Sequence, residues 1–376
     1  MDAEYRPVTW LVFSVTDSSF LLGLLETVRF LPITVFSLFA GVVIDKYPKR
    51  TILIITQTAS MLLAFILSSL VFTHLVRYEY ILVLALILGF ANTFDIPARQ
   101  SFTVEMTGKD DLMNAIALSS VTFNLVRIAG PAVGALVLAY LGADWCFLLN
   151  GISFMAVITS LIRIEDRSYV REKAQDDNML TEIKDGLKYI AKERSLFLTI
   201  LLTVIVGVFV LNYDVLIPVF VKNVLHQSEK VYGLLISSMG VGSLLGALII
   251  SAKSKSGPGM KFLIGSSLVE SVLLILIGLT RVYYFTAILL VISGMFNMWF
   301  STISSATLQL TSKDEYRGRV MSAYSLVYAG TAPLGYMFAG AMADKLGADT
   351  VFSMSGMITI ALIVLLIRML LHLIRH

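Results

Sequence analysis

The sequence predicts an all-α polytopic membrane protein. Hydrophobic residues fill 57% of its 376 positions and charged residues only 15%, whereas soluble domains carry roughly 25% charged. A helix needs about 20 apolar residues to cross the hydrocarbon. Thr51 to Thr73, Tyr232 to Ala252 and Val282 to Thr307 contain no charged residue at all. A soluble protein with many such buried helices would keep too little polar surface to dissolve.

Apolar runs and breakers place complete spans at Leu21 to Ile44, Thr51 to Thr73, Tyr80 to Ile96, Ala115 to Leu141, Trp145 to Ile162 and Leu196 to Val221. Five more follow at Tyr232 to Ala252, Phe262 to Thr280, Val282 to Thr307, Val320 to Ala343 and Thr350 to Ile367. The single cysteine, Cys146, excludes an internal disulfide and a cysteine-based metal site.

Lys and Arg set the orientation. Placing Lys46, Lys49, Arg50, Arg99, Lys109, the segment Arg163 to Arg194, Lys253, Lys255, Lys261, Lys313, Arg317, Arg319, Arg368 and Arg375 inside leaves Arg77, Lys222, Lys230, Arg281 and Lys345 outside. Arg6, Arg29 and Arg127 then fall at membrane depth, and the C-terminus is cytoplasmic. The net charge of +3 is divided by side of the membrane, with no patch for nucleic acid. The longest polar stretch, Glu165 to Arg194, reads as a cytoplasmic linker. In it Leu180, Ile183, Leu187 and Ile190 recur at helical spacing opposite Lys184, Asp185 and Lys188, the pattern of an amphipathic surface helix or a solvated connector.

The chain repeats itself. An offset of 210 aligns Gly23-Leu24-Leu25 with Gly233-Leu234-Leu235 and Leu53 with Leu263. An offset of 205 aligns Leu141-Gly142-Ala143-Asp144, Phe147 and Gly151 with Leu346-Gly347-Ala348-Asp349, Phe352 and Gly356, and one of 204 aligns Thr107, Lys109 and Asp110 with Thr311, Lys313 and Asp314. The expected organisation is two duplicated six-helix bundles, 1–163 and 196–376, joined by a linker at 164–195. The partner of Leu196 to Val221 is incomplete: Pro7 to Val15 makes about 14 Å of helix. A truncated first helix, completed by roughly 20 to 30 upstream residues, is the expectation, against an eleven-span protein with a re-entrant stub.

The stretch Gly41-Val-Val-Ile-Asp45-Lys46-Tyr47-Pro48-Lys49-Arg50 resembles motif A of the major facilitator superfamily, although Tyr47-Pro48 departs from the usual glycine-containing turn. Asp95-Ile-Pro97-Ala-Arg99-Gln100, then Asn114-Ala115, Asn124, Arg127 and Gly130-Pro131 with Gly134, resemble the enterobactin-exporter and macrolide-efflux branch. Arg317-Gly318-Arg319-Val320-Met321 and Ala332-Pro333-Leu334-Gly335 fit it too. The resemblance implies a major facilitator fold and a gating set of Gly41, Asp45, Lys46, Lys49, Arg50, Asp95, Arg99, Gly318 and Arg319. It also implies a helix-kink motif at Gly130, Pro131 and Gly134 that the superfamily associates with export.

Ionisable groups within spans are expensive and point to function. Arg127 lies near mid-helix and needs a carboxylate or an aqueous cavity. Glu26 and Arg29 share a helical face and can pair with each other. The offset of 210 places Glu4 on Asp214 and Asp2 on Asn212, so Glu4 or Asp214 is the expected carrier of a coupling proton. Glu270 falls on a helix that is peripheral in the family, and is read as a packing or lipid-adaptation residue. Asn124, Asn212, Asn297 and Tyr324, with Trp299 and Tyr328, are candidate cavity residues.

The sequence holds no phosphate-loop lysine, no His-Glu-x-x-His and no serine-hydrolase elbow, so no enzyme, cofactor or metal is expected. The expected function is proton-coupled efflux of a small amphiphilic compound across the cell membrane by alternating access, with the lipid bilayer, the substrate and protons as partners. Uptake of a small solute, and a non-transporting scaffold or sensor of the same fold, are the alternatives.

Overall fold

A computed structural model describes residues 2–103, 106, 137, 142–164, 179–253 and 259–375. The described residues form α1 (Asp2–Thr16), α2 (Ser19–Lys46), α3 (Lys49–Phe72), α4 (Tyr78–Thr103), α5 (Ala143–Arg163) and α6 (Met179–Lys192). Then come α7 (Arg194–Phe209), α8 (Tyr213–Asn223), α9 (Glu229–Lys253), α10 (Met260–Leu279), α11 (Tyr283–Thr311), α12 (Asp314–Leu346) and α13 (Ala348–Arg375). Among these residues nine stretches are long and apolar enough to cross a membrane, α7 and α8 together making one of them. The expected span Val320 to Ala343 lies within α12, where polar residues lower the hydropathy. The expected span Ala115 to Leu141, with Asn124, Arg127, Gly130, Pro131 and Gly134, lies outside the described residues.

The chain divides into two compact units: Met1–Asp17 with Leu25–Asp176, and Ser18–Leu24 with Asp177–His376. In the first unit α3 packs along α5, and Gly151 lets the ring of Phe65 approach the α5 backbone. A core of Ala40, Ile44, Leu53, Ala98, Phe102 and Leu161 joins the ends of α2, α4 and α5 to the start of α3. The cations Lys46, Lys49, Arg50, Arg99 and Arg163 flank this core in sequence, so they gather at one end of the unit.

The second unit repeats the plan. Ile190, Leu196, Leu308, Val320, Ala323 and Tyr324 form its end core, beside Lys188, Lys192, Arg194, Lys313, Arg317 and Arg319. The amphipathic helix α6 is held there: Tyr189 stacks on Tyr316 with ring centroids 4.4 Å apart, and Ile190 is buried. Helices α9 and α11 touch backbone to backbone, because a methyl group on Gly242 would strike the carbonyl of Val291 and one on Gly294 that of Met239. Lipid offers no hydrophobic drive between helices, so such small-residue contacts supply the attraction. Ser18 and the first residues of α2, through Leu24, belong here too. Ser18 Oγ donates to Asp344 Oδ1 at 3.1 Å, the Phe20 amide to the same oxygen at 3.3 Å, and Gly23 meets the backbone of Gly340. A carboxylate thus sits at the positive end of α2.

The duplication reappears in the backbone. Both α5 and α13 begin after a left-handed glycine, Gly142 at φ 93° and Gly347 at φ 84°, in the paired Leu-Gly-Ala-Asp motifs. Subtracting 210 from Glu229, the start of α9, gives 19, the start of α2. The same subtraction carries α8 onto α1.

Gly242→Val should lower the apparent Tm of the purified protein, through an overpacking cost of about 1 to 3 kcal/mol. Gly265→Ala, where the added Cβ meets nothing within 4 Å, should not lower it in the same thermal melt.

Candidate functional site

Each unit buries a cluster of polar side chains. In the first, Asp95 projects from α4 with 3% of its surface exposed. Its Oδ1 accepts from Thr56 Oγ1 at 2.9 Å and Gln57 Nε2 at 2.6 Å, both on α3. Its Oδ2 takes Arg99 Nη2, one turn along α4, at 2.9 Å. Arg99 is half-exposed and keeps its charge in contact with solvent. Arg50 opens α3 and donates from Nε to the Leu161 carbonyl at 2.7 Å and from Nη2 to the Ile162 carbonyl at 2.6 Å. A cation thus closes the negative end of α5. Asp95, Arg99 and Arg50 of the expected gating set therefore lie in one polar region. Gly41 and Asp45 sit in the last turns of α2, and Lys46 is exposed.

Glu26 and Arg29 form an ion pair of 2.6 Å on α2, with the Glu26 side chain fully buried. The guanidinium also lies 4.8 Å from the centroid of the Phe30 ring.

In the second unit the polar groups collect at the interruption between α7 and α8. Helix α7 ends at Phe209, and the amides of Val210 and Leu211 both bond the Val206 carbonyl. Asn212 turns its side-chain amide back to the Val208 carbonyl at 2.7 Å. Its Oδ1 faces Gly335 of α12 and has no hydrogen-bond partner. Asp214 lies in the first turn of α8, half-buried, with the Tyr336 hydroxyl 3.5 Å from its Oδ2. Between them Tyr213 reaches the other way, to Glu270 of α10 and Ser293 of α11.

Of the two roles read for Glu270, packing and lipid adaptation, its burial inside the unit agrees with packing. It is 3% exposed and packed inside the unit, on a face of α10 that also buries Leu263, Ser266, Ser267, Ser271 and Leu274. Ser266 and Ser267, four and three residues before Glu270 and so on its helical face, carried that signal in the sequence. A helix at the periphery of a bundle still has an inward face.

Of the candidate cavity residues, Asn297 is half-buried and Tyr324 is buried, with its ring 6.0 Å from that of Tyr328. Trp299 spends its indole N–H on the Gly246 carbonyl at 2.7 Å, tying α11 to α9. Glu4 lies in the first turn of α1. Gly318 has open space beside it in the second turn of α12, and Arg319 lies over the Tyr316 ring at 5.7 Å.

Spanning helices in two duplicated units, with polar clusters buried within them, define a multi-pass membrane transporter. The chain belongs to the family described as transmembrane secretion effector, which it matches over residues 6–375, within the major facilitator superfamily. It is 28% identical to the staphyloferrin A transporter of Staphylococcus aureus, covering 94% of this chain and 89% of that one. It is 26% identical to the multidrug efflux pump Tap of Mycolicibacterium fortuitum, over 91% and 85% of the two chains. Macrolide efflux protein A of Streptococcus pyogenes is 21% identical over 92% and 86%. The fold superposes on a mutant form of the nucleoside transporter NupG with a TM-score of 0.78 at 12% identity, over 98% of this chain and 95% of that chain. A bacterial homologue of the lysosomal transporter Spinster gives 0.72 at 14% identity, over 97% and 91%.

Asp95→Ala leaves the donors of Thr56 and Gln57 without their acceptor and should destabilise by about 2 to 3 kcal/mol. Asp95→Asn, which keeps one oxygen, should cost less. Thermal unfolding of the purified variants in lipid reads the difference.

Proposed function

We propose that this transporter exports small amphiphilic compounds of the macrolide, multidrug or siderophore kind in exchange for protons, by alternating access in the cell membrane. Its cation-rich helix ends and C-terminus would face the cytoplasm. One observation carries the reading: a spanning helix breaks at Val210–Asn212, and the half-helix that follows holds Asp214 in its first turn. Discontinuous helices of this kind bind substrates and coupling ions in secondary transporters, and here the chain belongs to a family whose relatives are named for macrolide and multidrug efflux. The duplication gives Asp214 a counterpart in Glu4, and we assign the coupling proton to this pair. Asn124, Arg127, Asn212, Glu26, Asn297 and Tyr324 are proposed to line the substrate path. Gly130, Pro131 and Gly134 would form the helix kink. Motif A, from Gly41 to Arg50, with Asp95, Arg99, Gly318 and Arg319, would gate it.

Everted membrane vesicles energised by a proton gradient should accumulate a macrolide, staphyloferrin A or a fluorescent lipophilic cation. An uncoupler should abolish the uptake, and Glu4→Gln or Asp214→Asn should cut it by about tenfold, equivalent to roughly 1.4 kcal/mol in the barrier. Accumulation of none of these probes, or full proton-driven uptake in both amide variants, would contradict the reading.

A further inference from the structure

Glu270 sits ten residues into the twenty-residue α10, about 15 Å from either end and so near the middle of a bilayer. Its Oε1 accepts from Tyr213 Oη at 2.7 Å and from Ser293 Oγ at 2.7 Å, and the two hydroxyls lie 2.5 Å apart. The other oxygen, Oε2, is buried without a hydrogen-bond partner. The charged and titratable groups of the surrounding helices lie elsewhere. Helix α11 carries no charged residue, and its tyrosines are the terminal pair Tyr283 and Tyr284. Helix α7 carries only Arg194, at its start. On α13, Asp349 is paired with Arg281 at 2.7 Å, and Arg368 lies five turns further on. On α8, Asp214 faces Tyr336, and Lys222 lies two turns beyond. Among the described residues the titratable group that touches Glu270 is Tyr213.

Ionised, the carboxylate would hold negative charge on a bare oxygen with no cation opposite, at membrane depth, where such charge is most expensive. A proton removes the charge and completes the ring: Oε1–H donates to Ser293 Oγ, Ser293 to Tyr213 Oη, and Tyr213 back to Oε1. Each of the three oxygens then gives one hydrogen and accepts one. We propose that Glu270 is a second proton-binding site of this transporter, read out by Tyr213 at the α7–α8 break. The role in coupling rests on the proton-driven reading above; the binding of the proton does not. Tyr213 stands between Asn212 and Asp214, so loss of the proton changes the hydrogen bonds of a side chain rooted in the interruption itself. The cost of the buried charge then falls on the segment that proposed alternating access must bend.

Infrared pH-difference spectra of the whole protein in lipid nanodiscs test this without any substrate. Wild type should show a protonated-carboxyl C=O band that responds to pH and is lost in Glu270→Gln. Tyr213→Phe and Ser293→Ala each keep the carboxyl and drop one hydroxyl, and should move the band's midpoint by about one pH unit. A band unchanged in Glu270→Gln overturns the assignment, even where vesicle transport proves proton-driven. If Glu270→Gln does not fold, an unmoved midpoint in both hydroxyl variants overturns it equally. A titrating Glu270 band alongside transport indifferent to protons would overturn the export-by-proton-exchange reading while upholding the site.

Discussion

Hydrocarbon offers no hydrogen-bond partner, so every polar atom carried into it must find one inside the protein. That constraint shapes both units. Serines and threonines along the spans turn back to the carbonyl four residues earlier, as Ser60, Thr199, Thr203, Ser271 and Thr359 do. Larger polar groups need partners on a second helix. Asp95 takes two donors from α3, Arg50 closes the end of α5, and Trp299 closes on α9. These bonds tie helices together where burial of apolar surface gains nothing against lipid. They hold the helices of each unit together.

The same constraint isolates the places where it is not met. Asn212 Oδ1 and Glu270 Oε2 are buried and unpartnered, as are the hydroxyls of Ser304, Thr307 and Ser355; Asn212 lies in the interruption between α7 and α8, and Glu270 bonds Tyr213 beside it. A helix broken at membrane depth survives where protein or a water-lined cavity surrounds it, and here α12 approaches through Gly335 and Tyr336. Unmet polar capacity beside an interrupted helix is what a site needs if it is to bind an ion in one state and release it in another. The first unit, by contrast, surrounds Asp95 with donors on both oxygens.

Much of this was legible in the sequence. Apolar length located the described spanning helices, Thr51 to Thr73 within two residues of Lys49–Phe72, while Tyr80 to Ile96 stopped short of the helix end at Thr103. The paired Leu-Gly-Ala-Asp motifs marked real glycine-dependent helix starts. Motif A and Asp95 to Arg99 led to the polar end of the first unit. Two features were missed for physical reasons. Leu196 to Val221 reads as one unbroken helix because no glycine or proline lies at Val210–Asn212. At the break Asn212 turns its side chain back to the Val208 carbonyl and α12 comes close through Gly335, and the second of these is a tertiary fact. The serines beside Glu270 mark its face as inward, in keeping with a packing residue, but its partners Tyr213 and Ser293 come from other helices and are tertiary facts.

If protons and substrate share one cycle, the coupling must run in both directions. Proteoliposomes preloaded with an exported probe and an internal pH indicator, with equal pH on both sides, measure it directly. The account predicts that substrate leaving the lumen draws protons in and acidifies it in the wild-type protein. Efflux with no change in lumenal pH would contradict it.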